Sequence, residues 1–538
     1  MAEEAESNRA LKWGGVRLPL PDRLMSREVA ITLAFTVLTF VAYWYLGPKD
    51  TPYSYQVSQA NNIIHGHLDL REEHTQNLGI LEQVLYDGHR FCLPPGKEDR
   101  LPLLVEYVNA IGAGASPEQA RQLVISPSCK TYMQHSLGPS FVVLPGVLVW
   151  GKELNQTLVS AVIGALTAGV VYAIARRLTE NLLAQVALTA LMVFGTIFWY
   201  AAANGGVWYF AHTMAVFFLF GAIYFTLVRR NPAAAGALLG AAFMCRPTVL
   251  MAGLFFVVMF SDLWLKPRLE GRSPLARIDW LPAAQFAAGI APFILATLLL
   301  NYVRYDNPLE SGYNYVESAH QTFLSYMYSH GTLDISYIQR HPPVMLGTTP
   351  VFQQSAPYVL PSWFGLAVWA TTPAFAYAFF PNIKKYTGLV IFGSAMLALA
   401  GGFMLSRAIA SAWHTGWATQ EAPMDIHLLP FWVMTAVAIV AALYFRDRLT
   451  IACWAAIIPT ALVIFTFAFT GWSQFGYRYS LDFTPFLWLL VARAIGDEMK
   501  WHHWALIGIS VAVNAWGVLW IYQFQPDAAF GVTQWVVF

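Results

Sequence analysis

Residues 29–46 read VAITLAFTVLTFVAYWYL, eighteen residues without a charge, and Gly47-Pro48-Lys49-Asp50 follows at once. At about 1.5 Å of rise per residue such a run approaches the ~30 Å hydrocarbon layer of a bilayer. Before it stand Arg9, Lys12, Arg17, Arg23 and Arg27 in a polar stretch without a small-residue cleavage site. The run therefore reads as an uncleaved first span. The basic residues predict a cytoplasmic N-terminal segment, residues 1–28, because positive charge stays on that side.

Working outward, further apolar runs fall near 158–175, 182–201, 208–227, 233–243, 249–264 and 281–303. Others fall near 359–380, 389–405, 428–445, 451–469, 483–495 and 504–524. The expectation is an all-α polytopic membrane protein of about thirteen helices. Two spans are short, and 233–243 and 249–264 could be divided differently around Arg246-Pro247. Composition agrees. Of 538 residues 57% are hydrophobic and only 12% charged, about half the charge of an average soluble domain. Disordered, fibrous, disulfide-scaffold and nucleic-acid-binding classes are excluded.

A net charge of +1 conceals sorting. With alternating crossings, short loops on the N-terminal side hold Arg176-Arg177, Arg229-Arg230, Lys266, Arg268, Arg272, Arg277, Lys384-Lys385, Arg446, Arg448, Arg493 and Lys500. With the N-terminal five, that is 19 of 32 basic residues. The opposite side has the long segments, so it is the expected working face. Four parts follow: residues 1–28; an N-terminal transmembrane module, 29–303, with outer loop 48–157; an outer loop, 304–358; and a C-terminal transmembrane module, 359–538.

The chain lacks a P-loop, a dinucleotide fingerprint and HExxH or CxxC patterns. Its spans hold almost no carboxylates, which disfavours ion-coupled transport. Carboxylates gather instead in the first outer loop: Asp50, Asp69, Glu72, Glu73, Glu82 and Asp87. A carboxylate at the membrane boundary can act as general base towards an acceptor hydroxyl; a solvated loop charge is the alternative. Arg304, Arg478 and Arg246 lie at or near span ends. Arginine's planar fork suits a lipid phosphate, although such residues also snorkel or pair with loop acids. Cys245 and Cys453 read as core thiols, whereas Cys92 and Cys129 share the outer loop and could form a disulfide. His65 and His67 would diverge on a helix, which argues against a metal pair. Tyr313 and Tyr315 could stack on sugar rings, and Asn155-Gln156-Thr157 is a sequon that would matter only in a eukaryote.

Several pieces carry a family resemblance: TPYSYQVSQANNIIHGHLDL at 51–70, VLYDGHRFCLPPG at 84–96, HSLGPSFVVLPGVLVWG at 135–151 and GTIFWYAAANGGVWYFAHTMAVFFL at 195–219. GAAFMCRPTVLMAG at 240–253, NYVRYDNPLESGYNY at 301–315 and GWSQFGYRYSLDFTPFL at 471–487 complete the set. In their order and placement the chain resembles the bacterial GT-C superfamily of membrane glycosyltransferases, the dolichyl- and polyprenyl-phosphate-mannose mannosyltransferase-like proteins.

The resemblance implies transfer of a sugar from a lipid-linked, polyprenyl-phosphate donor to a glycan, lipid or protein acceptor. Transfer would occur on the non-cytoplasmic face, with inversion, in the bacterial plasma membrane and without a nucleic-acid partner. It implies a first-loop acid as base, best matched by Asp50. The stretch from Pro95 to His135 is unusually long, so Asp69, Glu82 or Asp87 could serve instead. A divalent metal stays open. The competing readings are a transporter or flippase for a lipid-linked glycan and a non-catalytic membrane scaffold.

Overall fold

The computed structural model describes residues 10–13, 16–19, 27–69, 82–84, 130–133, 135–260, 280–305, 307–312, 331–352, 354, 358–362, 364–379, 448–471 and 474–524. Cys92, Cys129 and Asp87 lie outside them, as do Tyr313, Tyr315 and the runs expected near 389–405 and 428–445.

The described chain is mostly helical, as an apolar chain in hydrocarbon must be, because backbone N–H and C=O groups need partners within the span. Helix α1, Arg27–Leu46, follows the first apolar run. Helix α2, Tyr55–Ile64, and helix α3, Gly138–Trp150, lie in the segment 48–157 between the first two long apolar helices. Then come α4, Gln156–Leu178; α5, Leu182–Phe194; α6, Phe198–Asn204; and α7, Val207–Leu227. Helix α8 is Pro232–Cys245, α9 is Gly253–Phe260 and α10 is Trp280–Tyr305. The remainder are α11, Arg448–Phe465; α12, Thr484–Ile495; and α13, Trp501–Leu519.

Six of these are long and apolar enough to cross a membrane, or seven if the bent pair α5–α6 is one span. The expected count of about thirteen is not reached among the described residues. Helix α8 exceeds its run by a few residues, α12 nearly matches its own, and α9 is much shorter than the run suggested. The run expected to span 359–380 is not one helix. Val359–Leu360 pairs antiparallel with Val351–Phe352, and only short turns follow, at Val368–Thr371, Pro373–Phe375 and Ala376–Phe379. Pro361 and Pro373 lack the N–H that a helix ladder needs, and Gly365 adopts φ +85°.

Local chemistry sets each boundary. Asn155 caps α4 by accepting the Leu158 N–H at 2.8 Å, and Arg176 and Arg177 close its last turn, where cations favour the helix dipole. The α5–α6 axis bends by 52° at Gly195-Thr196. The Gly195 carbonyl accepts from the Thr372 hydroxyl at 3.0 Å, and Thr196 Oγ1 takes up the Phe198 N–H at 3.2 Å. Pro247 stops α8: Arg246, the residue before it, is extended at φ −144° and ψ 100°. The division around Arg246-Pro247 is therefore real.

Small residues let helices touch. A Cβ on Gly236 would lie 2.1 Å from the Phe286 carbonyl oxygen, and one on Gly289 2.1 Å from that of Ala233. Helices α8 and α10 are thus in backbone contact, the packing small residues favour in lipid. Tyr43 of α1 donates to the Val193 carbonyl at 2.5 Å, with its ring against Gly164 of α4.

Contacts sort the helix ends into two groups. At the Arg27 end, Arg176 pairs with Glu28 at 3.5 Å, and Asp497 accepts from the Thr179 hydroxyl at 2.8 Å and the Glu180 N–H at 2.9 Å. At the Asp50 end, Asn155 donates to the Lys49 carbonyl at 2.8 Å, and Gln523 to that of Leu46 at 2.9 Å. Asn204 there donates to the Tyr522 phenol at 3.0 Å. The apolar helices are compatible with an integral membrane protein.

Candidate functional site

The sequence Gly476-Tyr477-Arg478-Tyr479-Ser480-Leu481-Asp482 precedes α12, and Arg478–Asp482 is a 3-10 turn. With three residues per turn, Tyr479 and Asp482 share a face. That face meets α7 and the end of α8. Asp482, 1% exposed, is the focus. Its Oδ1 accepts from His212 Nδ1 at 3.0 Å and Arg246 Nε at 3.3 Å. Its Oδ2 accepts from Arg246 Nη2 at 2.9 Å and from the Thr248 hydroxyl.

Burial alone would raise the Asp482 carboxyl. Arg246 and His212 beside it outweigh that and hold it well below the ordinary carboxylate range. A carboxylate only accepts, so the His212 proton sits on Nδ1; Nε2 is buried without a hydrogen-bond partner.

Tyr479 joins this cluster to a second cation. The Arg246 guanidinium carbon lies 5.4 Å from its ring centroid and that of Arg478 5.2 Å. Arg478, itself buried, also lies 5.6 Å from the Tyr209 ring. His212 and His341 pack around Tyr479 at 5.9 and 6.2 Å. His341 Nε2 donates to the Phe467 carbonyl at 2.7 Å, so Nδ1 accepts from the Tyr477 hydroxyl, also at 2.7 Å. Burial pushes His341 down to about 4, which keeps it neutral. The structure thus brings Arg246 and Arg478 together on one aromatic platform, with Arg246 tied to Asp482.

Arg304 stands elsewhere. It ends α10, buried, where Nη2 donates to the Met133 carbonyl at 2.6 Å and to the Tyr305 phenol oxygen. Its guanidinium carbon is 4.6 Å from the Tyr305 ring and 5.6 Å from that of Tyr132. Its Nε is buried without a partner, and among the described residues no carboxylate pairs with it. Burying an unpaired charge costs several kcal/mol. A last-turn position returns about 0.3–1 kcal/mol and a ring face about 0.5–2 kcal/mol. Carbonyl and phenol contacts satisfy donors but supply no counter-ion among the described residues.

Asp50 is exposed at the exit of α1, where its carboxylate accepts the Thr51 N–H at 2.7 Å. It forms no ion pair with Arg304, Arg478 or Arg246 among the described residues. It does lie at the same helix end as Arg478. Val207 donates to the Tyr53 carbonyl at 3.2 Å, Tyr53 packs on Trp208 at 4.7 Å, and the next residue, Tyr209, faces Arg478. Asp69 is buried, with His67 Nδ1 4.0 Å from its carboxylate. Glu82 falls in the short strand Glu82–Val84, paired antiparallel with Lys130–Tyr132. His65 Nδ1 donates to the Asn61 carbonyl at 2.8 Å. Among the described residues no group of three or more His, Cys, Asp or Glu side chains gathers as metal ligands.

Sequence reasoning singled out the three arginines but missed Asp482, His212 and Tyr479. The available signal was a histidine inside an apolar run and an acid at a span start. Comparison with protein-family models, curated proteins and solved structures finds no match, so sequence motifs and side-chain geometry alone carry the functional reading.

Proposed function

We propose that this chain is a GT-C-type membrane glycosyltransferase that moves a sugar from a polyprenyl-phosphate donor to an acceptor hydroxyl. The observation that carries it is the Arg478–Tyr479–Arg246 platform, with Arg478 and Tyr479 buried and Arg246 partly exposed, at the helix end that also bears Asp50. A lipid phosphate needs a cation within reach of the membrane, and a transferred sugar needs a base on the same side.

In this reading Asp50 takes the proton from the acceptor oxygen as that oxygen bonds to the anomeric carbon. The bond from that carbon to the phosphate oxygen breaks, with inversion. The departing polyprenyl phosphate gains a negative charge, which Arg478 stabilises in a dry setting where such a contact is strong. Asp482 orients Arg246 and offsets its charge, leaving Arg478 as the main phosphate partner. Asp69 is the alternative base among the described acids. The N-terminal segment is cytoplasmic and the Asp50 end faces away from the cytoplasm of a bacterial plasma membrane.

The test is transfer from a polyprenyl-phosphate sugar by the purified chain and by Asp50→Asn. Loss of a general base lowers the rate by about 10²–10⁴-fold. Full activity in a folded Asp50→Asn protein would sink the assignment of the base, and absence of transfer by the unmodified chain with every lipid-linked sugar tried would sink the reading.

A further inference from the structure

Arg246 and Arg304, two cations among the described residues, differ in what surrounds them. Arg246 has a carboxylate; Arg304 has none among the described residues. Arg304 is 7% exposed and keeps one buried N–H, on Nε, without an acceptor. The rings of Tyr132 and Tyr305 meet edge-on at 5.6 Å beside it. The turn holding Gly312, at φ +88°, closes over the Tyr305 hydroxyl, where a Cβ would lie 2.3 Å away. A neighbouring cluster of Tyr55, Met133, Leu137 and Val207, with Leu68 against both, fixes the Met133 carbonyl that Arg304 bonds. A planar fork with a spare N–H, held between aromatic walls and without a counter-ion among the described residues, has the chemistry of an anion site.

We propose that Arg304, with Tyr132 and Tyr305, forms a second phosphate-binding site, separate from the Arg478 platform. Its ligand is a phosphate group, carried either by a membrane lipid or by a soluble molecule such as a phosphorylated acceptor. Nothing in this inference requires that the chain transfers a sugar, so it stands or falls separately from the glycosyltransferase reading.

The sign of a stability change tests it. The full chain is purified in a maltoside detergent, which contains no phosphate, and its thermal midpoint is followed by tryptophan fluorescence. Inorganic phosphate and dihexanoyl phosphatidic acid are titrated at constant ionic strength into the unmodified chain, Arg304→Gln, Arg304→Lys and Arg478→Gln. Without phosphate, Arg304→Gln is expected to melt at or above the unmodified midpoint, because it removes an uncompensated buried charge.

It is also expected to weaken binding of at least one probe about tenfold or more. Arg304→Lys keeps the charge and should retain part of the response; Arg478→Gln should leave the Arg304-dependent part in place. A response confined to phosphatidic acid assigns a lipid headgroup, and one shared with inorganic phosphate assigns a soluble phosphate. An Arg304→Gln chain that binds both probes as the unmodified chain does overturns the proposal. So does a fall in midpoint on Arg304→Gln with no phosphate response in Arg304→Lys, which marks Arg304 as purely structural.

Discussion

Arg246 and Arg304 are both arginines at the ends of apolar helices, and the molecule treats them in opposite ways. Arg246 leaves α8 at a proline and meets Asp482, His212 and Thr248 around one buried carboxylate. Arg304 closes α10 against a backbone carbonyl and two tyrosines. The first arrangement is neutralised internally and joins segments far apart in the chain. The second buries a positive charge that no carboxylate meets among the described residues. The difference shows that a membrane-boundary arginine is informative only through its partners.

The largest way to break this contrast is Asp482→Asn. It strands Arg246 beside a neutral group in a buried setting and should cost about 3–5 kcal/mol of unfolding free energy, read by chemical denaturation in detergent. A double change, Asp482→Leu with Arg246→Met, should cost less than the single one, because it removes both charges. The pH dependence sharpens the same point. The Asp482 carboxyl is depressed in the folded chain, so its stabilisation is fully present above the ordinary carboxylate value of about 3.9 and is lost as pH falls towards its lowered folded value. Between pH 8 and 5 the gap between the unmodified chain and Asp482→Asn should therefore stay constant.

Next in size, Arg478→Gln should lower sugar transfer by about 10²–10³-fold, as loss of one charge-stabilising donor does. The fold should persist, since Asp482 keeps Arg246. A smaller effect is expected where helices touch. Gly236→Val pushes a side chain into the Phe286 carbonyl and should cost about 1–3 kcal/mol of stability. Smallest is Tyr305→Phe, which removes one acceptor of Arg304 and should cost about 1 kcal/mol, visible as a small drop in thermal midpoint.

Much of the helical framework was legible because hydrocarbon leaves an apolar chain few options. The starts of α1, α4, α7 and α10 fall within two residues of the apolar runs, and Asn155 and Pro232 mark their own helix starts. Hydropathy failed at 359–380, where average apolarity concealed two prolines and a glycine with positive φ. It also could not foresee that 182–201 bends, because the bend depends on Thr372, 177 residues further on, accepting the role of partner to the Gly195 carbonyl. Of the candidate site, the three arginines were visible as cations near span ends. Their grouping was not: Arg478 shares Tyr479 with Arg246, while Arg304 stands apart.

By itself the amino-acid sequence determined the solvent this chain is built for. Its 12% charge and long uninterrupted apolar runs suit helices in lipid, since an α-helix satisfies its backbone within one such run, whereas barrel strands are shorter and alternate in polarity. It also marked the arginines and acids that stand near the ends of its apolar runs. Tertiary structure decided which of those charges remain available. His212 and Asp482 are 270 positions apart, and Arg246 and Asp482 are 236 apart. Neutralisation of a charge falls off within a few ångströms in three dimensions, whereas a sequence records only separation along the chain.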